Sequence, residues 1–181
     1  MTLETERLVL RRWKSSDSAP YAKLNSDPAV MEFLLKPLSQ EESEAMISRA
    51  ETHFTEHGYG PWAVELKATG DLLGFTGLTR PSFDAHFTPC VEVGWRLARS
   101  FWGKGFATEA ARAALDFGFD KAGLKEIVSF TVPANKRSIA VMERLGMRRD
   151  PEEDFEHPKV PLGHLLRRHV LFRLKREFTN E

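Results

Sequence analysis

In TERLVLRRW, Leu8 and Leu10 alternate with Arg7, Val9 and Arg11, the two-residue period of a strand with one buried face. SSDSAPYAKLNSDPAVMEFL changes to helical spacing, with Ser16 or Asp17 available as the cap. Ser39 followed by Glu42 forms a capping box that opens a second helix, from about Gln40 to Glu56, which Gly58 ends. PWAVEL and LLGFTGL, joined by a Thr-Gly-Asp turn, form a hairpin, and CVEVGWRLA is a fourth strand. The alanine-rich ATEAARAALDFGFDKAG is a helix closing near Gly123. EIVSFTV is a fifth strand, and NKRSIAVMERLG is a short helix ended by Gly146. After an irregular loop from Arg149 to Leu165 comes a last strand, RRHVLFRLK. This order predicts a mixed α/β fold in which a helix carries the chain from the fourth strand to the fifth.

No repeat or linker divides the 181 residues, so one domain over residues 1–181 is expected. Basic and acidic residues balance at 26 each, which gives no footprint for nucleic acid or an anionic membrane surface. No stretch approaches the roughly 20 apolar residues of a membrane span, and the first residues lack a signal-peptide core. The single cysteine, Cys90, rules out an internal disulfide framework and fits a reducing compartment. A cytoplasmic protein, monomer or homodimer, is expected.

The chemistry starts at RSFWGKGFATEA, where Gly103 and Gly105 lead directly into the alanine-rich helix. Such a loop offers several backbone N–H groups in one concavity, and the helix end adds roughly half a positive charge, which suits phosphate. Thr108 can add a hydroxyl. Two phosphate-loop patterns fail on spacing. A dinucleotide fingerprint would need glycine at Thr108, and a P-loop would need it at Ala98. A glycine turn that only permits tight packing remains the alternative.

VEVGWRLARSFWGKGFATEAARAAL together with TVPANKRSIAVMERLGM resembles the acetyl-CoA-binding core of the GNAT acetyltransferases, and more narrowly their RimJ/RimL branch. TERLVLRRW and GDLLGFTGL extend the resemblance over nearly the whole chain. It implies a mostly antiparallel, twisted sheet of six or seven strands, its fourth and fifth splayed apart, with about four flanking helices. The family loop, Q/R-x-x-G-x-G/A, falls on Trp102, Gly103, Lys104, Gly105, Phe106 and Ala107, with tryptophan where Gln or Arg is usual. The resemblance also implies that acetyl-CoA is the co-substrate. Pantetheine would run along Trp95, Arg96 and Leu97, and the pyrophosphate would sit on the loop from Trp102 to Thr108, with Asn135 contacting CoA as well as capping its helix.

Direct transfer then needs a base for the incoming amine and help for the departing thiolate. By resemblance, Glu92 matches the carboxylate base of several members. Many members have a tyrosine where Met142 stands, so Ser138, matching a serine of the RimJ/RimL branch, is the thiolate stabiliser or donor. Glu92 as an outward strand charge and Ser138 as a surface residue of a first helical turn are the plain alternatives. His157, His164 and His169 lack metal-ligand spacing. Cys90 reads as a small buried apolar residue, and Phe83, Phe87 and Trp62 as core or acceptor wall. Two function classes follow. One is acetyl transfer from acetyl-CoA to a primary amine, either a protein N-terminus or a small molecule; the other is an acyl-CoA sensor without turnover.

Overall fold

The computed structural model describes residues 2–176. Two short strands, β1 (Leu3–Glu4) and β2 (Leu8–Arg11), precede α1 (Ser18–Ser26) and α2 (Gln40–His57). The strands β3 (Pro61–Leu66), β4 (Leu72–Thr79) and β5 (Glu92–Leu97) follow as a meander, and α3 (Phe106–Asp120) crosses to β6 (Glu126–Thr131). Then come α4 (Lys136–Arg144), β7 (Arg148–Arg149), β8 (Phe155–Glu156) and β9 (Arg168–Lys175). The sheet runs β1-β2-β3-β4-β5-β6-β9-β7, with β8 on β9, and its one parallel pair is β5 with β6. The expected fourth and fifth strands are therefore β5 and β6. The strands beyond the expected six or seven have two residues each, too short to leave a period in the sequence.

Adjacent residues of the strands feed two separate cores. Leu8, Leu10, Trp62, Val93 and Ile127 pack with Ala110, Ala111 and Ala114 of α3, whose small side chains let the helix lie close to the sheet. Val128 and Leu171, one residue out of step, join Phe87 and Phe155 on the opposite face. Trp62 is wholly buried between Phe54 and Phe117, so it is core and not an acceptor wall.

The capping box forms as expected. Ser39 Oγ accepts from the Glu42 N–H at 3.1 Å, Glu42 accepts from the Ser39 N–H at 2.8 Å, and Gly58 ends α2 at φ 74°. The first helix departs from the sequence pattern. It stops at Ser26, ahead of Asp27-Pro28, because the residue before a proline avoids helical geometry. Asp17 holds the N-cap position, yet its carboxylate is taken by Arg11 at 2.7 and 2.9 Å and by the Lys14 N–H. A buried arginine on β2 outcompetes the helix amides for it.

Candidate active site

β5 and β6 pair in register only at Glu92 and Val128. A right-twisted parallel pair joined by a packed helix can separate beyond such a bridge, and the opening is a cleft of about 1190 Å³. That exceeds the usual 300–1,000 Å³ of small-ligand sites and suits a long ligand. Glu92, Trp95, Leu97, Trp102, Gly103, Gly105, Ala107, Thr108, Asn135 and Ser138 all line it. The structure thus gathers ten residues from three separate stretches of sequence. Lys104 is the exception. Its carbonyl accepts from Arg7 Nη1 at 3.0 Å, and its ammonium lies 5.7 Å from the Phe101 ring, outside the cleft lining.

The glycine loop has the geometry an anion needs. Gly103 and Gly105 hold φ of 74° and 82°, in the left-handed region that side chains rarely adopt, and turn the chain into α3. No side chain caps that helix, so its first N–H groups are left for a ligand. The Trp102 indole donates to the Leu97 carbonyl at 2.8 Å and fixes the exit from β5, while its ring lines the cleft 4.4 Å from the Arg137 guanidinium.

Arg7 braces this loop from β2's leading turn, a role the alternating pattern did not reveal. Its guanidinium pairs with Glu109 at 2.6 Å and lies 4.4 Å from the Phe106 ring, while Thr5 Oγ1 donates to Glu109 at 2.6 Å. Burial opposes ionisation of Glu109, but these partners together hold its carboxyl below the ordinary value. A negative charge that would otherwise sit in the first turn of α3 beside the anion cradle is thereby neutralised.

Asn135 organises the other wall. Its Oδ1 accepts from the Ser138 N–H at 3.2 Å and caps α4, while Nδ2 donates to Thr131 Oγ1 at 3.0 Å and Ser138 Oγ at 3.1 Å. Because Ser138 Oγ accepts there, its own proton is free to point into the cleft.

Glu92, Gly94 and Arg96 alternate onto the face of α1 and α2, whereas Val93, Trp95 and Leu97 face α3. Arg96 is engaged, donating to Asn25 Oδ1 at 2.7 Å and lying 5.6 Å from the Phe75 ring. Glu92 has no hydrogen-bond or ion-pair partner among the described residues, and burial pushes its carboxyl up to about 8. Cys90 is a half-buried thiol that burial and then Glu92 raise to about 11, which removes it as a nucleophile at neutral pH. His157 and His169 lie 5.0 Å apart among phenylalanine rings. Phe83 and Phe87 belong to that aromatic cluster, of which Phe130 reaches the cleft.

The model of the acetyltransferase (GNAT) domain matches residues 7–148, a span that holds the glycine loop, the splay and α4. The chain belongs to the GNAT acetyltransferase family. It is 32% identical to the uncharacterized protein YkkB of Bacillus subtilis over 80% of this chain and 84% of that one. It is 29% identical to the uncharacterized N-acetyltransferase p20 of Bacillus licheniformis over 98% of both. A GNAT-family acetyltransferase from Bacillus anthracis superposes with a TM-score of 0.79 at 26% identity, covering 97% of this chain and 98% of that one. The fold alone is shared with the RimL ribosomal L7/L12 α-N-protein acetyltransferase in complex with coenzyme A, at a TM-score of 0.76 and 16% identity over 97% and 98% of the two chains. Of the two classes the sequence allowed, the GNAT protein is the enzyme, an acetyl-CoA-dependent acetyltransferase. Its cleft volume and uncapped α3 terminus fit that co-substrate. Among the described residues no helix is long and apolar enough to cross a membrane.

Proposed function

We propose that this GNAT enzyme acetylates a primary amine, with Glu92 as the general base and Ser138 as the donor to the departing sulfur. The observation that carries the reading is the unpaired Glu92 carboxyl at the point where β5 and β6 separate, held near 8 by burial. The co-substrate's thioester supplies an activated acetyl carbon, so the protein has only to position the amine and manage protons. Moving a proton from an α-ammonium, pKa about 8, to Glu92 is nearly thermoneutral, and from a lysine-type ammonium at about 10.4 it costs about 3 kcal/mol. An ordinary carboxylate near 4.3 would raise those costs to roughly 5 and 8 kcal/mol. Glu92 Oε takes one proton from the ammonium, and the neutral amine then attacks, its C–N bond forming as the C–S bond breaks. The Ser138 O–H, oriented by Asn135, hydrogen-bonds the departing thiolate, which takes up the second nitrogen proton and leaves as the thiol. The diphosphate binds the backbone from Trp102 to Thr108, and pantetheine lies along Trp95 to Leu97. Balanced charge and a single free thiol support work in the cytoplasm.

The test is a screen of primary amines and peptide N-termini with acetyl-CoA, read as thiol release. Turnover by the parent protein and its loss in Glu92→Gln support the reading. Acetyl-CoA binding with no accepted amine across the panel overturns it.

A further inference from the structure

Beside the cleft, between the sheet and the helices α1 and α2, lies a second cavity of about 240 Å³. It shares Phe75, Glu92 and Gly94 with the cleft, so the two meet at the carboxyl group. The approach is open because Gly94 has no side chain. A Cβ there would meet only Glu92 Oε1, at 3.8 Å. Its walls are Trp13, Tyr21 and Phe75, with Met46 and Ala50 from α2 closing it. Trp13 and Tyr21 stand 4.7 Å apart, and Tyr21 and Phe75 6.3 Å apart edge to face, giving three adjoining aromatic surfaces. The polar ends of two of these rings point to protein partners. Trp13 Nε1 donates to the Pro61 carbonyl at 2.8 Å, and Tyr21 Oη donates to Met46 Sδ at 3.8 Å.

Among the described residues Glu92 is the only carboxyl group lining this chamber, and the Arg96 guanidinium, 3.9 Å from Met46 Sδ and 5.6 Å from the Phe75 ring, lies behind its wall and donates to Asn25 Oδ1. We propose that the chamber is the acceptor subsite and takes the apolar body of a small primary amine, one ring in size, whose nitrogen projects past Gly94 to Glu92. The inference rests on the acetyl-transfer reading above and names its substrate class. Size supports it, since an apolar cavity of about 150 Å³ accepts benzene, and the chamber exceeds that by roughly a short linker. Charge supports it too. With its nitrogen at Glu92, an amino acid would set its own carboxylate beside that carboxyl group, like charge against like, and a diamine would bring a second ammonium that meets no second carboxyl in the chamber. A peptide would bring backbone amides to walls whose one uncommitted hydroxyl is Thr79. The rings favour an aromatic body stacked edge to face.

The test measures binding of 2-phenylethylamine to the full chain saturated with CoA, by calorimetry, alongside phenylalanine, 1,4-diaminobutane and a short peptide amide. The aromatic amine is expected to bind at least tenfold more tightly than the other three. Ala50→Leu, which fills the chamber from α2, should weaken it at least tenfold while CoA affinity stays unchanged. Met46→Ala removes atoms instead of adding them, and it should shift preference toward a two-ring amine. Equal binding of all four ligands, or an affinity for 2-phenylethylamine that neither variant moves, overturns the assignment. Thiol release is scored separately. Tight, Ala50-sensitive binding without thiol release in the presence of acetyl-CoA overturns the transfer reading and leaves the chamber standing. Thiol release with the peptide or the diamine, but not the aromatic amine, overturns the chamber and leaves the transfer standing.

Discussion

Glu92 stands opposite Val128 at the one residue pair where β5 and β6 meet in register, and its carboxyl opens on both cavities. The bridge fixes the backbone of Glu92 while the strands part just beyond it. The half-buried side chain lies where the cleft and the chamber meet, within reach of an amine. Burial raises its pKa, and no hydrogen-bond or ion-pair partner among the described residues offsets that.

Catalysis by Glu92 has a pH signature. The base form is present only as pH rises through about 8, so kcat/KM of the parent should climb through that value. Glu92→Gln should lower kcat by roughly 10²-fold or more, with CoA affinity nearly unchanged, and the climb should vanish. Thiol release followed from pH 5 to 10 on an accepted amine checks this; a variant with parent-like kcat removes Glu92 from the base role.

The same carboxyl also predicts a stability effect independent of any substrate. Its folded value, about 8, lies above its ordinary 4.5, so the folded state holds the proton more tightly than the unfolded chain. The stability this contributes is complete below about 4.5 and is lost as pH rises through 8, at up to about 1.4 kcal/mol per pH unit in between. Glu92→Gln cannot titrate. Thermal melts of both proteins should therefore diverge in the variant's favour from pH 5 to 8 and run parallel above that.

Arg7→Ala should weaken CoA binding about tenfold, or about 1.4 kcal/mol. The change frees the Lys104 carbonyl and leaves Glu109 ionised beside the anion cradle. The loss should shrink at high salt, because the Arg7 side chain is 42% exposed and the uncovered repulsion is screened. Adding Glu109→Gln should restore part of the affinity. Calorimetry at two salt concentrations on the single and double variants measures both effects.

What the sequence made legible was whatever is local. The glycine loop, the Ser39 box and the Asn135 cap each write their geometry into four to six consecutive residues, and each forms as read. The brace from Arg7 to Glu109 and the Arg11 contact with Asp17 left no such trace. The first joins residues 102 positions apart, and the second puts a charge on the buried side of a strand whose period names only its leucines. The acceptor chamber was illegible for a related reason. Trp13, Tyr21, Met46 and Phe75 come from four different segments, and only the packing of α1 and α2 on the sheet turns them into one wall. Glu92 could be proposed by resemblance, whereas its raised pKa comes from burial that only the folded chain creates.

The last prediction separates Ser138 from Asn135. If Ser138 serves the sulfur, Ser138→Ala should lower kcat without moving the climb near pH 8, since no group that titrates there is removed. Asn135→Ala strips the α4 cap, worth about 1 kcal/mol, and also frees Ser138 Oγ from the Nδ2 donor that orients it. That variant should lose both stability and kcat, while Asn135→Asp keeps the cap acceptor and loses the Nδ2 donor. Asn135→Asp should therefore melt close to the parent yet turn over slowly, like Ser138→Ala. The double variant with Ser138→Ala should be no slower than the slower single variant, because both changes remove one shared interaction. Thermal melts and thiol-release rates on the parent and the four variants check this. Independent, multiplying losses in kcat would show that Asn135 acts other than through Ser138.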